Sequence, residues 1–548
     1  MRPTIILLVL LYAQFLFAQG TPTALRPDIQ VEHYLDVQPG ATRMAYDALT
    51  GQLHYLTNNG NVYRVIDNGV TAPYDSLVST SNDHEITTAQ GLVFHDSDMF
   101  VVGNQMAGDL WHGIVARGHL LNSGLRAWTD VARTTYARGG KDHGFNAVVV
   151  TPDGLTLLVN SGARTDHGEV QSSGGIFPGK REEPVSAKIL QLPIDGLDLI
   201  IPNDEVTLAA SGFVYASGVR NTYDLAFNAE GDLFGPENSG DHDDPEELNW
   251  LQEGAHYGFP WTAGGNPNPT PIAGYDPVLD PRLNPGYPAA DTDFTYDPGF
   301  PAPPNDVVFT EPIANVGPDA DKIRDLTGGI IDASDNGITI GTFTCHRSPL
   351  GLIFDVDQVL GGSYTGDAFL TSFTQGGDSA GFNPNAIWGI PVVPVDPSED
   401  LLHLTLSFDE LENRYSLSAE RIVSGLYLPV DAELVGHELY IIEYWTSTQR
   451  SMWKVTMPLT NSIEEPDGGK AVGITLFPNP ARDVLEWRTE GGVLTALDVF
   501  DALGQLVRSF SQSGITGHVP LYNLAPGPYI VRARIHGSWI TRPLVVVH

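Results

Sequence analysis

The chain of 548 residues has little cysteine, little positive charge and few long apolar segments. Its single cysteine, Cys345, excludes a disulfide within the chain, and no CxxCH haem attachment is present. Only 29 residues are basic against 67 acidic ones, which gives a formal net charge of −38. A surface of that sign repels nucleic acid and anionic membranes and can recruit divalent cations. We therefore expect a soluble extracellular protein with no nucleic-acid partner.

The one long apolar run lies at the N-terminus. Arg2 precedes about a dozen apolar residues that end near Ala18, a pattern typical of a secretory signal peptide over residues 1–18. The run is too short for a good membrane span, and no other segment approaches the ~20 apolar residues that a span needs. We expect a mature chain with no transmembrane span.

What the chain has in quantity is turn residues, with 58 glycines and 40 prolines. Such a composition favours many short strands over long helices. Strand–turn–strand patterns recur at residues 51–65, 91–104, 148–162, 225–240, 366–377 and 436–455. Each predicts a small sheet that cannot bury both faces alone. We predict an all-β fold, a six-bladed β-propeller over residues 31–458, with an array of β-sandwiches as the main alternative.

Two segments interrupt this pattern. Residues 262–320 are rich in proline and predict either an ordered loop or lid between blades or a floppy insertion. Residues 459–473 read as a polar linker. Beyond them, residues 474–548 show the strand pattern of a small C-terminal β-sandwich.

That C-terminal segment resembles a known family. The stretches LFPNPARDVLEW (476–487), DVFDALGQLV (498–507) and LAPGPYIVRARI (524–535) are similar to the type A sorting domain of the type IX secretion system. The resemblance implies that the type IX secretion machinery is a partner. It also implies export to the outside or the cell surface after a signal peptide delivers the chain to the periplasm, with no catalysis in this segment.

Candidate functional residues concentrate at 218–261. Arg220 and Asn221 follow a glycine, and a dense run of acids follows them. An arginine on a tight turn can pair with a carboxylated ligand bidentately, and the asparagine can hydrogen-bond it. Clustered carboxylates suit Ca²⁺, which takes six to eight oxygen ligands, although any single acid could instead cap a turn.

A second candidate stretch is KDHGFN, residues 141–146. His143 can accept a proton near neutral pH, and the adjacent Asp142 is expected to raise its basicity. His167 is a rival candidate, and a satisfied structural histidine is the alternative for either one.

Together these stretches resemble the pyrroloquinoline quinone (PQQ)-dependent glucose/sorbosone dehydrogenase family of six-bladed propellers. The resemblance implies that His143 is the general base for oxidation of a sugar hydroxyl, with hydride passing to PQQ, and that Ca²⁺ polarises the quinone. Gln90 stands where the family often has a polar active-site residue, and Arg220 and Asn221 would face the cofactor. The metal-binding stretch would contribute Glu237, Asn238, Asp244, Glu246 and Glu247.

The chain departs from that family at its basic residues. PQQ carries three carboxylates, and residues 424–434 offer no lysine or arginine where family members have them. Arg347, Lys322 and Arg324 are the substitutes that the sequence offers. We predict a sugar or polyol dehydrogenase that passes electrons to an external acceptor if such cations converge near His143. The alternative is a non-catalytic cell-surface propeller that binds glycan or protein and has lost the cofactor site.

Overall fold

The computed structural model describes residues 21–283, 294–325, 327–374, 396, 398–459, 473–490, 493–501, 506–510, 514–522, 524–535 and 538–547. The predicted signal peptide and most of the predicted linker lie outside these residues. Strand makes up 49% and helix 5%, so the all-β prediction is confirmed. The chain divides into two compact units, Met1–Thr460 and Asn461–His548. No helix of the described residues is long and apolar enough to cross a membrane.

The described part of the first unit contains six larger sheets, which follow one another along the chain. They are built mostly from antiparallel neighbours joined by short turns, as the Asn-Gly and Asp-Gly signals predict. The first sheet comprises Ala41–Asp47, Gln52–Thr57, Val62–Ile66 and Tyr74–Ser79; the second Thr88–His95, Asp98–Ala107, Leu110–Leu120, Arg126–Ala137 and Leu199–Ile200; the third Phe145–Val150, Thr156–Ser161, Lys188–Pro193 and Val214–Ser217.

The later sheets recruit strands from distant parts of the chain. The fourth comprises Ala226–Phe227, Leu233–Glu237 and Glu247–Leu251; the fifth Thr23–Ala24, Ala314–Pro318, Pro349–Phe354, Ala368–Ser372, Asp400–Asp409 and Arg414–Ser424; the sixth Pro429–Val435, Glu438–Glu443, Arg450–Thr456 and the N-terminal strand Gln30–Val37. In the sixth sheet, Gln30 pairs with Thr456 and Val37 with Arg450.

Short elements connect the sheets. Two hairpins, Thr262–Ala263 with Asn266–Pro267 and Lys322–Arg324 with Ile330–Asp332, lie in or near the proline-rich segment. The helices are Ser81–His84 and Glu205–Ser211, and the 3₁₀ turns are Ser173–Gly175, Pro277–Leu279, Ser334–Asn336 and Gly362–Tyr364.

Hydrophobic packing joins each sheet to the next. Six buried clusters hold side chains of the first and second, second and third, third and fourth, fourth and fifth, and fifth and sixth sheets, and of the sixth sheet with the first. In the last of these, Tyr440 and Met452 pack with Met44 and Tyr55. A cavity of about 600 Å³ is lined by one strand of each sheet. The six sheets therefore surround a common space.

The second unit contains two antiparallel sheets within its described residues. One comprises Gly473–Phe477, Val484–Glu490 and Thr516–Pro520, and the other Leu494–Phe500, Leu506–Phe510, Gly527–Ile535 and Ser538–Val546. A single buried cluster contains Trp487 and Leu485 of the first sheet together with Val531 and Leu497 of the second. The alternation of buried and exposed residues along Gly527–Ile535 is the period of two that a one-faced strand requires.

Candidate functional site

The structure brings the two candidate stretches together. The carbonyl of Ala163 accepts hydrogen bonds from the backbone N–H of His143 at 3.0 Å and from its Nδ1 at 3.1 Å, and the N–H of Ala163 donates to the carbonyl of Arg220 at 2.7 Å. Asn146 Nδ2 donates to Asn221 Oδ1 at 2.8 Å. The predicted base and the predicted cofactor-binding pair therefore meet beside the ends of the third sheet's strands.

The imidazole of His143 has a defined protonation state. A carbonyl oxygen can only accept, so Nδ1 carries the proton that it donates to Ala163. Burial, and next the charge of Arg220, lower the pKa of His143 to about 3. The ring is therefore neutral near pH 7, with its free lone pair on Nε2, the arrangement of a proton acceptor.

Asp142 shapes the turn before His143. Its carboxylate accepts hydrogen bonds from the N–H of Gly139 at 3.2 Å and of Gly144 at 3.0 Å, and from the Tyr136 hydroxyl at 3.5 Å. Burial raises the pKa of Asp142 to about 7. The expectation that the neighbouring carboxylate raises the basicity of His143 is corrected, because the pKa of His143 is lowered and the dominant cause is burial.

Arg220 is only 7% exposed and is held by a partner that the sequence reasoning did not single out. Its Nε donates to the carbonyl of Asp166 at 2.7 Å, one terminal nitrogen to Asp166 Oδ1 at 2.8 Å, and the other to the carbonyl of Asn238 at 3.2 Å. The guanidinium holds the pKa of Asp166 well below its usual range despite burial. The signal that could have identified Asp166 was its place beside His167 in the stretch TDHGE.

His167, the rival histidine, lies against the same carboxylate. Its Nδ1 is 3.1 Å from Asp166 Oδ2, and its ring stacks on Phe294 with centroids 3.9 Å apart. Its buried Nε2 has no hydrogen-bond partner among the described residues. A cavity of about 20 Å³ borders His167, Asp166 and Arg220, which is room for about one water molecule.

Asn221 belongs to a chain of side-chain amides that runs from the third sheet to the first residue of the strand Pro349–Phe354 in the fifth sheet. Asn160 donates to Asn146 at 2.7 Å, Asn146 to Asn221 at 2.8 Å, Asn221 to Asn238 at 2.7 Å, and Asn238 to the carbonyl of Pro349 at 3.3 Å. Each amide interior to this chain uses both its donor and its acceptor on a neighbour. The network therefore fixes the orientation of Asn221, and Asn238 is engaged as an amide partner rather than turned towards the acids.

The four acids predicted as metal ligands are buried, but each has different donors. Glu237 accepts from the N–H of Arg220 and the Thr222 hydroxyl, Glu246 from the N–H of Ser348, Glu247 from the N–H of Gly264 and from Asn249, and Asp244 from His242 and Arg282. Glu237 and Glu247 are directly paired across two strands. Burial raises the pKa of Glu246 to about 8 and that of Glu247 to about 7, and burial also raises the pKa of Glu237 well above its usual value.

A different group of potential ligands does converge. Among the described residues, one set of three or more His, Cys, Asp and Glu side chains brings its ligand atoms within 4.8 Å of one another, and it consists of Asp243, Cys345 and His346. His346 Nε2 lies 2.9 Å from Asp243 Oδ1, and Arg324 Nε donates to Asp243 Oδ2 at 2.9 Å. None of these three residues was among the predicted metal ligands.

The remaining predicted cofactor-binding residues lie in other settings. Arg347 is 1% exposed, and its guanidinium contacts both oxygens of Asp400 at 2.8 and 2.6 Å and also Asp396. Gln90 is half-buried at a bulge of the second sheet, and its carbonyl accepts from Arg43 Nε at 2.9 Å.

These contacts bear on whether PQQ and Ca²⁺ fit. His143 and Asn221 supply a proton acceptor and a fixed amide. The candidate cations Arg220, Arg324 and Arg347 each have a carboxylate partner, so they are already neutralised before a tricarboxylate arrives. The four predicted carboxylate ligands do not converge into one oxygen cage. PQQ could therefore pair with one of these arginines only if its present ion pair opened, and the described residues do not fit the predicted calcium ion.

Comparison with known proteins identifies first the export route. Residues 475–547 match the family model described as Secretion system C-terminal sorting domain, so the chain is a protein secreted through the type IX system. Residues 95–287, which include His143 and Arg220, match the family model Glucose / Sorbosone dehydrogenase. The chain thus carries a domain of that dehydrogenase family together with a sorting domain. None of the curated proteins matches the chain.

Solved structures with some likeness include two sugar dehydrogenases. The PQQ domain of pyranose dehydrogenase from Coprinopsis cinerea is 12% identical with a TM-score of 0.47, over 79% of this chain and 97% of that one. The PQQ-bound aldose sugar dehydrogenase from Streptomyces coelicolor is 14% identical with a TM-score of 0.44, over 79% and 99%. The likeness to the Glucose / Sorbosone dehydrogenase family is a sequence match over residues 95–287 and does not depend on these two structures.

Proposed function

We propose that the first unit is a six-bladed β-propeller that acts as a sugar or polyol dehydrogenase of the glucose/sorbosone dehydrogenase type. The second unit would be a β-sandwich that serves export alone. Packing of the sixth sheet onto the first, and a central cavity bordered by all six sheets, support the propeller. The family match over residues 95–287 supports the reaction class.

The observation that carries the proposal is the junction of His143, Ala163 and Arg220. The Ala163 carbonyl fixes the tautomer of His143, so Nε2 can accept the proton of a substrate hydroxyl as the C–H bond is oxidised. Burial and the charge of Arg220 keep the ring neutral, so the Nε2 lone pair is available over the whole physiological pH range, while the same low pKa makes the ring a weak base.

The acceptor of the hydride is proposed by family likeness as PQQ, with an external electron acceptor beyond it. Arg220 and Asn221 are the residues proposed to contact such a group, because the backbone of Arg220 is linked to that of His143 through Ala163 and Asn221 is bonded to Asn146 of the same stretch. Arg220 could offer its charge only if Asp166 gave up the pair.

A second candidate function rests on that same ion pair. If Arg220 stays neutralised by Asp166, the site has no cation for a tricarboxylate. The propeller would then bind a neutral glycan or a protein at the cell surface without turnover.

One experiment separates the two functions. The full-length mature protein is titrated with PQQ in the presence of Ca²⁺, and dye reduction is followed against a panel of aldoses and polyols. We expect sugar-dependent reduction that requires PQQ and is lost in His143→Ala but kept in His112→Ala, since His112 is a half-buried histidine of the second sheet bonded to Thr135. A folded protein that neither binds PQQ nor reduces the dye would instead support the glycan- or protein-binding function.

A further inference from the structure

The group of Asp243, Cys345 and His346 lies where two distant loops are clamped together. Asp243 lies in the acidic loop between the strands Leu233–Glu237 and Glu247–Leu251 of the fourth sheet. Cys345 and His346 come just before the strand Pro349–Phe354 of the fifth sheet. Beside the group, the N–H of Glu246 donates to the carbonyl of Phe343 at 2.9 Å and the reverse bond is 2.8 Å long. The N–H of Ser348 also donates to the Glu246 carboxylate at 2.7 Å. Backbone pairing on both sides thus holds the three side chains in place.

The chemistry of the three donors is selective. They offer one carboxylate oxygen, one sulfur and one imidazole nitrogen, and they are 6, 2 and 9% exposed, in the order Asp243, Cys345, His346. Calcium and magnesium take oxygen ligands. A thiolate combined with an imidazole selects zinc and related transition metals. The donor set therefore differs in kind from the oxygen cage that the acidic sequence suggested.

We propose that Asp243, Cys345 and His346 bind one divalent transition metal ion of the zinc class. A tetrahedral zinc site with bonds of about 2.0–2.3 Å separates its ligand atoms by roughly 3.3–3.8 Å. The ligand atoms of the three residues lie within 4.8 Å of one another. To reach zinc-site spacing they would approach each other by about 1 to 1.5 Å at most, which side-chain torsions can supply. The thiol gives up its proton on binding, and two metal–ligand bonds replace the hydrogen bond between His346 and Asp243.

Neighbouring residues also orient the proposed ligands. Arg324 already donates to the outer oxygen of Asp243 at 2.9 Å, so the inner oxygen faces His346. Outer partners of this kind orient a ligating carboxylate. A cavity of about 410 Å³ is lined by Asp243, Arg324 and Glu311, so it borders one of the three proposed ligands.

The competing explanation is a buried hydrogen-bonded ion pair of Asp243 with His346 and Arg324, which needs no metal. The single cysteine of the chain separates the two explanations, because any sulfur-to-metal absorption must come from Cys345. The metal site also goes beyond the proposed dehydrogenase function, since it can be tested without substrate or PQQ.

The test uses the full-length mature protein without a histidine tag, freed of metal by a chelator and titrated with Co²⁺. We expect one equivalent to bind with a thiolate-to-cobalt charge-transfer band, which Zn²⁺ abolishes and Ca²⁺ leaves unchanged. Cys345→Ser should remove the band, and His346→Gln should weaken binding by at least about 10- to 100-fold, because loss of even an outer partner of a ligand costs that much. His119→Gln, at an exposed histidine paired with Asp98, is the matched control and should bind as the wild type does.

Two outcomes would overturn the proposal: a folded wild type that shows no charge-transfer band, or cobalt binding that is equally strong in Cys345→Ser. Should Cys345→Ser lose the fold, the wild-type band and the weakened binding of His346→Gln decide the question. The melting temperature of the wild type then serves as a further check, because binding to the folded state alone must raise it with Zn²⁺.

Discussion

Replacing Asp166 by asparagine tests how the buried charge of Arg220 is balanced. Asp166 accepts from the Arg220 guanidinium at 2.8 Å and, through its other oxygen, from the N–H of Asp241 at 3.1 Å. Asparagine keeps the size and one acceptor but removes the negative charge. The variant therefore leaves a guanidinium that is 7% exposed without a counter-ion.

The expected destabilisation is at the lower end of the 3–5 kcal/mol that breaking a buried ion pair costs, or about 3 kcal/mol, because one hydrogen bond survives. Unfolding entropy scales at about 2.1 cal/mol/K per residue, so a unit of about 440 residues changes its melting temperature by roughly 1 °C per kcal/mol. Asp166→Asn should therefore melt about 3 °C lower than the wild type in calorimetry of the full-length protein.

Asp241→Asn is the matched control in the same region. Asp241 pairs at 2.8 Å with Lys141, and the two side chains are 17% and 39% exposed, so this partly exposed pair should contribute no more than about 1 kcal/mol. The shift should stay below about 1 °C. If Asp166→Asn is no more destabilising than Asp241→Asn, the reasoning about the buried charge fails.

The pH dependence gives a second check on the same pair. The folded-state pKa of Asp166 is depressed, so its contribution to stability is present above the unfolded pKa of about 3.9 and is lost as the pH falls below it. The difference in stability between wild type and Asp166→Asn should be constant from pH 6 to 8 and shrink below about pH 4. A difference that grows on acidification would contradict this assignment.

Three further predictions concern the same region. Since the pKa of His143 is lowered to about 3, any dehydrogenase activity should show no ionisation of this histidine between about pH 5 and 8 in a kcat/KM profile, and an inflection near 6.5 in the wild-type profile would contradict it. Asn146→Ala interrupts the amide chain and leaves Asn221 Oδ1 and Asn160 Nδ2 each without the amide that they contact, so we expect about 2–4 kcal/mol of destabilisation by denaturant titration; a change below about 0.5 kcal/mol would count against the chain. The raised pKa values of Glu246 and Glu247 mean that stability without metal falls as the pH rises from about 4.5 to 8, so the double variant to glutamine should melt higher than the wild type at pH 8 in a chelator. If these acids hold calcium, the same variant must melt lower than the wild type in Ca²⁺, and an unchanged melting temperature there would exclude that role.

Much of the fold could be predicted because its signals are local. The alternation and Asn-Gly turn in residues 51–65 correspond to the strands Gln52–Thr57 and Val62–Ile66. Gly218, two residues before Arg220, has a φ of 73°, where glycine is favoured. The stretches around His143 and Arg220 were found for the same reason, since each is a compact motif. Their meeting through Ala163 could not be read from either motif alone.

The electrostatics of the site could not be predicted, because the partners are far apart in sequence. Arg220 and Asp166 are 54 residues apart, Arg347 and Asp400 are 53 apart, and His346 and Asp243 are 103 apart. A run of acids in the sequence suggested one calcium cage. In the folded chain each of these carboxylates instead accepts hydrogen bonds from its own donors, because a buried polar group without a hydrogen bond costs free energy.

The pairing of Gln30–Val37 with Arg450–Thr456 has a consequence for biogenesis. The sixth sheet contains both the first part and the last part of the unit, so that sheet stays incomplete until the chain is synthesised almost to the sorting domain. A chain cut short before residue 450 exposes an unpaired strand edge, which invites aggregation or proteolysis. Completion of the sixth sheet and appearance of the sorting domain thus come nearly together, so that a truncated product lacks both its last strand and its route out of the cell.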